Sequence, residues 1–241
     1  MKKEKNPLTI FKTRRYIKHE KDQKYYPYSG IETYLGMQGG GKTITAVKRI
    51  KEILKEYPKV QLISNVIIND IETEKPIHYY KNCEQLVDEL RNIDINNNEG
   101  YLIFMDEGHV VLAELFGRTD PIFLTFLSQQ RKLSIHFIIT SQMFNYLMKP
   151  IRKYLIQSGS IVMCKKYFKV IQFLKYIDME TIEEHQDGTF TYKRCKNRWY
   201  IHTEELYKSY DTFAVISQIQ GLMKGELKYE HELDTTSNTT I

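Results

Sequence analysis

The sequence predicts an α/β domain in three layers, with helices on both faces of a mainly parallel sheet. Three observations carry that prediction. The stretch Gly36-Met37-Gln38-Gly39-Gly40-Gly41-Lys42-Thr43 spells Gly-x4-Gly-Lys-Thr between an apolar run and an amphipathic one. The run Tyr101-Leu102-Ile103-Phe104-Met105 ends on two adjacent acids, Asp106 and Glu107. Around both, β-branched runs of strand length alternate with segments of helical period, the order that builds parallel sheets through crossover helices.

The first element is Ile31-Glu32-Thr33-Tyr34-Leu35, a short β-prone run. The glycine stretch follows it, and then Ile44, Val47, Ile50, Ile53, Leu54 and Tyr57 recur at helical spacing until Pro58 stops the pattern. Strand, glycine loop and helix in that order form a phosphate-binding loop. Gly36, Gly39, Gly40 and Gly41 let the backbone of Met37 and Gln38 close around an anion, and the helix presents its positive end to it. Lys42 reaches the β and γ phosphates of a nucleoside triphosphate, and the Thr43 hydroxyl completes a magnesium shell. A glycine-rich turn with an incidental lysine is the plainer alternative, and the flanking pattern argues against it.

Beyond Pro58, Leu62-Ile63-Ser64-Asn65-Val66-Ile67-Ile68 has the make-up of a buried parallel strand. Asn82 and Gln85 cap a helix whose apolar face is Leu86, Val87 and Leu90. Asn96-Asn97-Asn98-Glu99-Gly100 breaks the chain before the acid-terminated strand. Such a strand delivers its acids to the carboxyl edge of the sheet, where ligands bind. Asp106 there holds magnesium, and Glu107 orients and deprotonates an attacking water. The alternative is a strand that simply leaves the sheet on charged residues. Asp120-Pro121 opens a further helix with Phe123, Leu124 and Leu127 on one face. His136-Phe137-Ile138-Ile139-Thr140 is the next strand, and Gln142 beyond its end is the candidate sensor of the γ-phosphate. His109, His136 and Cys164 lack metal-ligand spacing and read as core or edge residues.

The 241 residues suffice for one substantial core with a small appended subdomain, and 41% apolar with 27% charged content marks a soluble globular protein. Cys83, Cys164 and Cys195 form no C-x-x-C pair, which suggests neither a zinc site nor a disulfide framework and fits a reducing cytosol. The longest charge-free run, residues 133–148, is too short and too polar to span a bilayer. The lysine-rich N-terminus has no apolar stretch behind it and is not a secretory signal. Residues 1–24 carry seven lysines and two arginines against three acids, a net +6 that leaves −1 for the remainder. Such a basic arm, residues 1–29, either lies along nucleic acid phosphates or is a solvated leader. Its Tyr16, Tyr25, Tyr26 and Tyr28 either stack on bases or pack on the core.

Residues 160–203 turn β-rich, with Asp187-Gly188 as a turn signal, and are expected to extend the sheet on its far side. Lysines and arginines are frequent there, including Lys165, Lys166 and Lys169, as on an ordinary solvent face or on a hairpin that touches DNA. Residues 216–241 read as a charged, disordered tail.

With these pieces the chain resembles the FtsK/HerA superfamily of nucleotide-driven DNA pumps, and within it the zonula occludens toxin-like and viral genome-packaging ATPases. The matching residues are the glycine stretch, Phe104-Met105-Asp106-Glu107, and Leu127-Ser128-Gln129-Gln130-Arg131-Lys132 followed by Ile138-Ile139-Thr140-Ser141-Gln142. Ile151-Arg152 and Leu206-Tyr207-Lys208-Ser209-Tyr210-Asp211-Thr212 also look similar. The resemblance spans roughly residues 30–215. It implies a three-layer P-loop NTPase of the RecA-like (ASCE) kind, using ATP and Mg2+, assembled as a homo-oligomeric ring, commonly hexameric. It implies DNA as the moved partner, with a capsid or membrane-pore protein alongside, in the cytoplasm of a cell or viral host. A neighbouring subunit would supply an arginine to the transition state; Arg131 is the first choice, with Arg152 and Arg118 as alternatives. Toxin-like members typically carry a membrane-spanning segment after the ATPase domain, and this chain has none, which shifts weight toward a packaging motor. An assembly or secretion ATPase acting on protein partners is the second reading, and a small-molecule kinase the third. No Asn-Lys-x-Asp stretch is present to read guanine.

Overall fold

The computed structural model describes residues 25–94, 99–113 and 121–210. Strand β1 (Gly30–Leu35) leads through the glycine loop into helix α1 (Lys42–Glu56), followed by β2 (Gln61–Ser64), the short β3 (His78–Tyr79) and α2 (Cys83–Arg91). The acid-terminated strand is β4 (Tyr101–Met105); α3 (Gly108–Ala113), α4 (Pro121–Gln129), β5 (Ile135–Ser141) and α5 (Lys149–Ser158) come next. The rest comprises β6 (Ser160–Tyr167), β7 (Ile171–Ile177), β8 (Ile182–Glu184), β9 (Phe190–Tyr192), β10 (Cys195–Ile201) and α6 (Glu204–Lys208).

Eight strands form one sheet in the order β10-β7-β6-β1-β5-β4-β2-β3. The strands from β6 to β3 run parallel, and β7 and β10 add to the far side antiparallel. Every residue of β4 and β5 is buried, as expected of strands covered on both faces. Alternation sends Ile103, Met105, Phe137, Ile139 and Ile161 to one face, against Leu86 and Leu90 of α2, Phe123 and Leu127 of α4 and Leu155 of α5. Leu102, Phe104, Ile138 and Val162 point to the other face, against Ala46, Val47, Ile50 and Leu54 of α1. Each large apolar side chain so buried contributes about 1.5–3 kcal/mol, which is what holds the layers together. Local signals set the helix ends: the Asn82 side chain accepts from the Gln85 N–H at 2.9 Å, and Gln85 Oε1 accepts from the Lys81 N–H at 2.8 Å.

Two expectations need correction. The strand expected over residues 62–68 ends at Ser64, because the Ser64 hydroxyl both accepts from the Val66 N–H and donates to its carbonyl, turning the chain out of the sheet. Ile68 instead bridges Tyr210. Residues 189–193 do not extend the main sheet: β9 pairs with β8 as a separate two-stranded ribbon around the turn at Gly188, whereas β6, β7 and β10 extend it as expected. Tyr25, Tyr26 and Tyr28 each pack edge-on against Tyr57, Tyr26 and Tyr28 also against each other, and Tyr26 is fully buried with its hydroxyl 2.9 Å from His136 Nδ1. These rings belong to the core. Tyr16, most of the basic arm and the C-terminal tail lie outside the described residues. Among the described residues no helix is long and apolar enough to cross a membrane.

One polar cluster ties the central strands to α1. Glu32 on β1 faces His136 Nε2 on β5 and Arg49 on α1, each at 3.4 Å, and accepts from the Tyr34 hydroxyl. Burial alone would raise this carboxyl, but His136 first, then Tyr34 and Arg49, outweigh it and hold its pKa at about 2. With the folded value below the unfolded one, the carboxylate stabilises the fold at neutral pH, and that stabilisation is lost as pH falls from about 4.5 toward about 2. Glu32→Gln is therefore expected to cost about 1–3 kcal/mol at pH 7. Urea unfolding as a function of pH checks it: the gap between variant and parent should close through that acid window.

Candidate nucleotide site

The glycine loop lies at the carboxyl end of β1, and its crest, Met37, Gln38 and Gly39, is exposed. Its curvature is set by a Gly40 N–H to Met37 carbonyl hydrogen bond of 2.9 Å. Gly36 packs so closely on β6 that a Cβ there would sit 2.4 Å from the Cys164 carbonyl oxygen. Gly41 has φ 83°, the left-handed region, and starts α1 with neither a capping side chain nor an acid in the first turn. The positive end of the helix is thus left open to an anion. Lys42 is 5% exposed and folds back over the loop, its Nζ 3.4 Å from the Met37 carbonyl and 3.5 Å from Glu107 Oε1.

Asp106 stands at the end of β4, one strand removed from β1, where three elements converge on it. Thr43 of α1 donates to its Oδ1 at 2.8 Å, and Thr140 of β5 donates to the same oxygen at 2.7 Å. Asn65, just past β2, grips its backbone by accepting from the N–H at 2.8 Å and donating to the C=O at 2.9 Å. Burial pushes the Asp106 carboxyl up against the two threonine hydrogen bonds and Lys42, which favour its charged form. Thr43 Oγ1 and Asp106 Oδ1 are hard oxygen donors side by side in a buried acid site, a set that suits magnesium. When bound, the ion would neutralise the charge of this carboxylate and of phosphate oxygens.

Glu107 has φ 47°, rare for a residue with a Cβ and costing about 1–2 kcal/mol. The conformation is secured by its N–H donating to Thr140 Oγ1 at 2.8 Å. It turns the carboxylate off the line of the strand toward Lys42. Glu107 Oε2 is buried and without a hydrogen-bond partner, with His109 Nδ1 3.4 Å away. His109, read from the sequence as core or edge, instead borders this acid and lies 3.4 Å from Ser141 Oγ; His136 and Cys164 are core residues as expected. Among the described residues no cluster of His, Cys, Asp and Glu has metal-holding geometry.

The register that sets Leu35 opposite Ser141 brings Gln142 beside Gly36, and both line a groove of about 260 Å³ with Met37, Phe144, Met163 and Phe190. Residues 36–43, Asp106 and Glu107 thus converge at this edge, and Gln142 lies beside the start of the loop at Gly36 and Met37. Arg131 is not among them. It is exposed just before β5, at the opposite edge of the sheet, roughly 20 Å away along that strand. Arg152 is held within its own chain, donating to Glu184 at 2.7 Å and to the Leu147 carbonyl. Arg118 lies outside the described residues.

No protein-family model matches the sequence, and no curated protein matches it. The fold, however, is shared. The N-terminal domain of zonular occludens toxin from Neisseria meningitidis overlays with a TM-score of 0.53 at 15% identity, covering 76% of this chain and 99% of that one. The chain has the P-loop NTPase fold. This agrees with the FtsK/HerA-type resemblance carried by its motifs. Weaker overlays are the genome packaging NTPase from Sulfolobus turreted icosahedral virus 2 in complex with AMPPCP, with a TM-score of 0.43 at 13% identity over 68% of this chain and 97% of that one. ATPases 2 and 3 of EccC from Thermomonospora curvata, in complex with a signal sequence peptide, give 0.45 at 14% identity over 63% of this chain and 35% of that one.

Asn65 and Thr140 were missed as site residues, since an amide or hydroxyl ending an apolar run is common; only their contacts with the P-loop's partner acid reveal them. Asn65→Ala leaves the Asp106 N–H and C=O without their partners and is expected to lower stability by about 1–3 kcal/mol. Urea unfolding at pH 7 measures it, and an unchanged midpoint would remove Asn65 from this role.

Proposed function

We propose that this chain is a magnesium-dependent ATPase working as a DNA-translocating motor of the FtsK/HerA type, packaging or exporting the DNA of a virus or other mobile element. The hydrolytic half rests above all on Glu107, whose strained backbone and partner-free carboxylate oxygen sit beside the Lys42 ammonium. In this reading the N–H groups of residues 36–43 and Lys42 bind and orient the triphosphate. Asp106 and Thr43 hold the magnesium, Glu107 takes a proton from the attacking water, and Gln142 contacts the γ-phosphate.

DNA as the moved partner rests on the motif resemblance, with the basic N-terminal arm as a second support. A hexameric ring explains an Arg131 remote from its own site: in a head-to-tail ring two different surfaces meet at each boundary, so one copy's arginine edge can serve its neighbour's loop. A capsid or membrane-pore protein would receive the DNA, and the cytoplasm is the expected location. The second reading is an assembly or secretion ATPase of the zonula occludens toxin-like type acting on protein partners at a membrane, which the shared fold of the zonular occludens toxin domain accommodates equally.

Steady-state ATP hydrolysis with and without single- or double-stranded DNA separates the two. Stimulation by either DNA supports the motor, whereas indifference to both supports the protein-directed alternative. Lys42→Ala is expected to abolish nucleotide binding. Glu107→Gln should bind ATP and hydrolyse it at least about 100-fold more slowly; a parental rate would remove Glu107 as the base. Arg131→Ala should bind nucleotide and assemble but turn over poorly, and mixing it with Lys42→Ala should restore activity, since mixed rings can set an intact arginine against an intact loop.

A further inference from the structure

Beneath the glycine loop, on the side away from Glu107, runs a polar chain, buried at Gln172 and His202 and reaching the surface at Tyr207, that the proposed chemistry does not use. Gln172 of β7 is wholly buried, and its Nε2 donates to the Gly40 carbonyl at 3.0 Å. Its Oε1 lies 3.1 Å from His202 Nε2, and His202 Nδ1 lies 2.8 Å from the Tyr207 hydroxyl. The Tyr207 hydroxyl also lies 2.7 Å from the Lys169 carbonyl oxygen, in the hairpin between β6 and β7. The contact with the loop is close: a Cβ on Gly41 would fall 1.9 Å from Gln172 Oε1.

Hydrogen-bonding capacity orients the Gln172 and His202 end of this chain. The Gly40 carbonyl only accepts, so the Gln172 amide nitrogen must face it and the amide oxygen must face His202. His202 Nε2 therefore carries a proton. Burial and then the Lys166 charge hold the His202 pKa below its usual value, so at neutral pH the ring is neutral, its one N–H is spent on Gln172, and the single Tyr207 hydroxyl proton serves either His202 Nδ1 or the Lys169 carbonyl. The peptide unit between Gly40 and Gly41 is planar and trans, so its C=O and N–H point in opposite directions. Anchoring the Gly40 carbonyl downward on Gln172 aims the Gly41 N–H away from β7, toward the side of the loop open to an anion. With no side chain at either glycine, nothing local holds that peptide plane against rotation.

We propose that Gln172 is a positioning residue of the phosphate loop, fixing the Gly40–Gly41 peptide so that the Gly41 N–H meets a phosphate oxygen, and that His202 sets the direction of the Gln172 amide. The proposal rests on reading residues 36–43 as a triphosphate cradle. Gln172 and His202 touch no reacting atom, and their effect belongs to binding common to ground and transition states, so KM should move and kcat should not.

The test measures affinity for a fluorescent ATP analogue, together with KM and kcat for ATP, in the parent, Gln172→Leu, His202→Leu and His202→Gln. Gln172→Leu keeps the volume and removes the donor, and is expected to weaken binding and raise KM about ten-fold, with kcat within about three-fold of the parent. His202→Leu should weaken binding about three- to ten-fold, and His202→Gln, whose amide nitrogen can occupy the place of Nε2, should return it to within about two-fold. A merely structural Gln172 would lower the melting temperature and the active fraction while leaving Kd and KM at parental values, and that result overturns the proposal. If Gln172→Leu does not fold, the two His202 variants decide: equal parental affinity in both overturns it, and loss in one with recovery in the other supports it. A parent that binds no ATP overturns the cradle itself and this proposal with it, whereas a binding parent with unaffected variants overturns this proposal alone.

Discussion

One buried carboxylate organises the domain. Asp106 is carried to the end of β4 by five consecutive apolar residues, and a charge at the rim of such a strand needs partners from every side. It draws them from the first turn of α1, from β5 and from the chain just past β2, through Thr43, Thr140 and Asn65. Those contacts register β2, β4 and β5 against the glycine loop at one edge of the sheet. The same Thr140 hydroxyl accepts from Glu107 and donates to Asp106, so a single side chain sets both acids.

The antiparallel extension has a structural consequence for the loop at the other side of β1. Parallel strands alone would leave β6 as the sheet edge next to Gly36. Adding β7 and β10 buries that edge and brings Gln172 under Gly40 and the Tyr200 hydroxyl to 3.0 Å from Thr45 in the first turn of α1. A glycine-rich loop has little internal stiffness, and its own Gly40 to Met37 hydrogen bond is here supplemented by neighbours that are strands. The Glu32, His136 and Arg49 cluster plays a similar part at depth, joining β1, β5 and α1 through polar contacts where the surrounding layer is apolar.

Much of this was legible without the fold. The glycine loop, the acid-terminated strand, the capped helix at Asn82 and the strand ending near Gln142 are each written in consecutive residues, because backbone conformation and amphipathic period are local properties. The hydrophobic pattern carried less about polar ends. Ser64 looked like one more strand position, and only its hydroxyl bonds to Val66 show why the strand stops there. His109 read as a core or edge residue for want of metal-ligand spacing, and the left-handed turn at Glu107 is what swings the two side chains together.

The sequence by itself determined the strand, loop and helix around the glycine stretch and the acid-terminated strand, and brought Lys42, Thr43, Asp106 and Glu107 forward as candidates, since a phosphate cradle needs those residue types in that short order. The tertiary structure decided what holds them. Asn65 and Asp106 are 41 residues apart, Thr140 and Asp106 34, and Gln172 and Gly40 132. Such pairings depend on strand order and register, which a periodic pattern of apolar residues does not encode, because the same alternation fits a strand placed anywhere in the sheet. The location of Arg131 was decided in the same way: its motif is local, but the direction of β5 puts it at the edge away from its own loop.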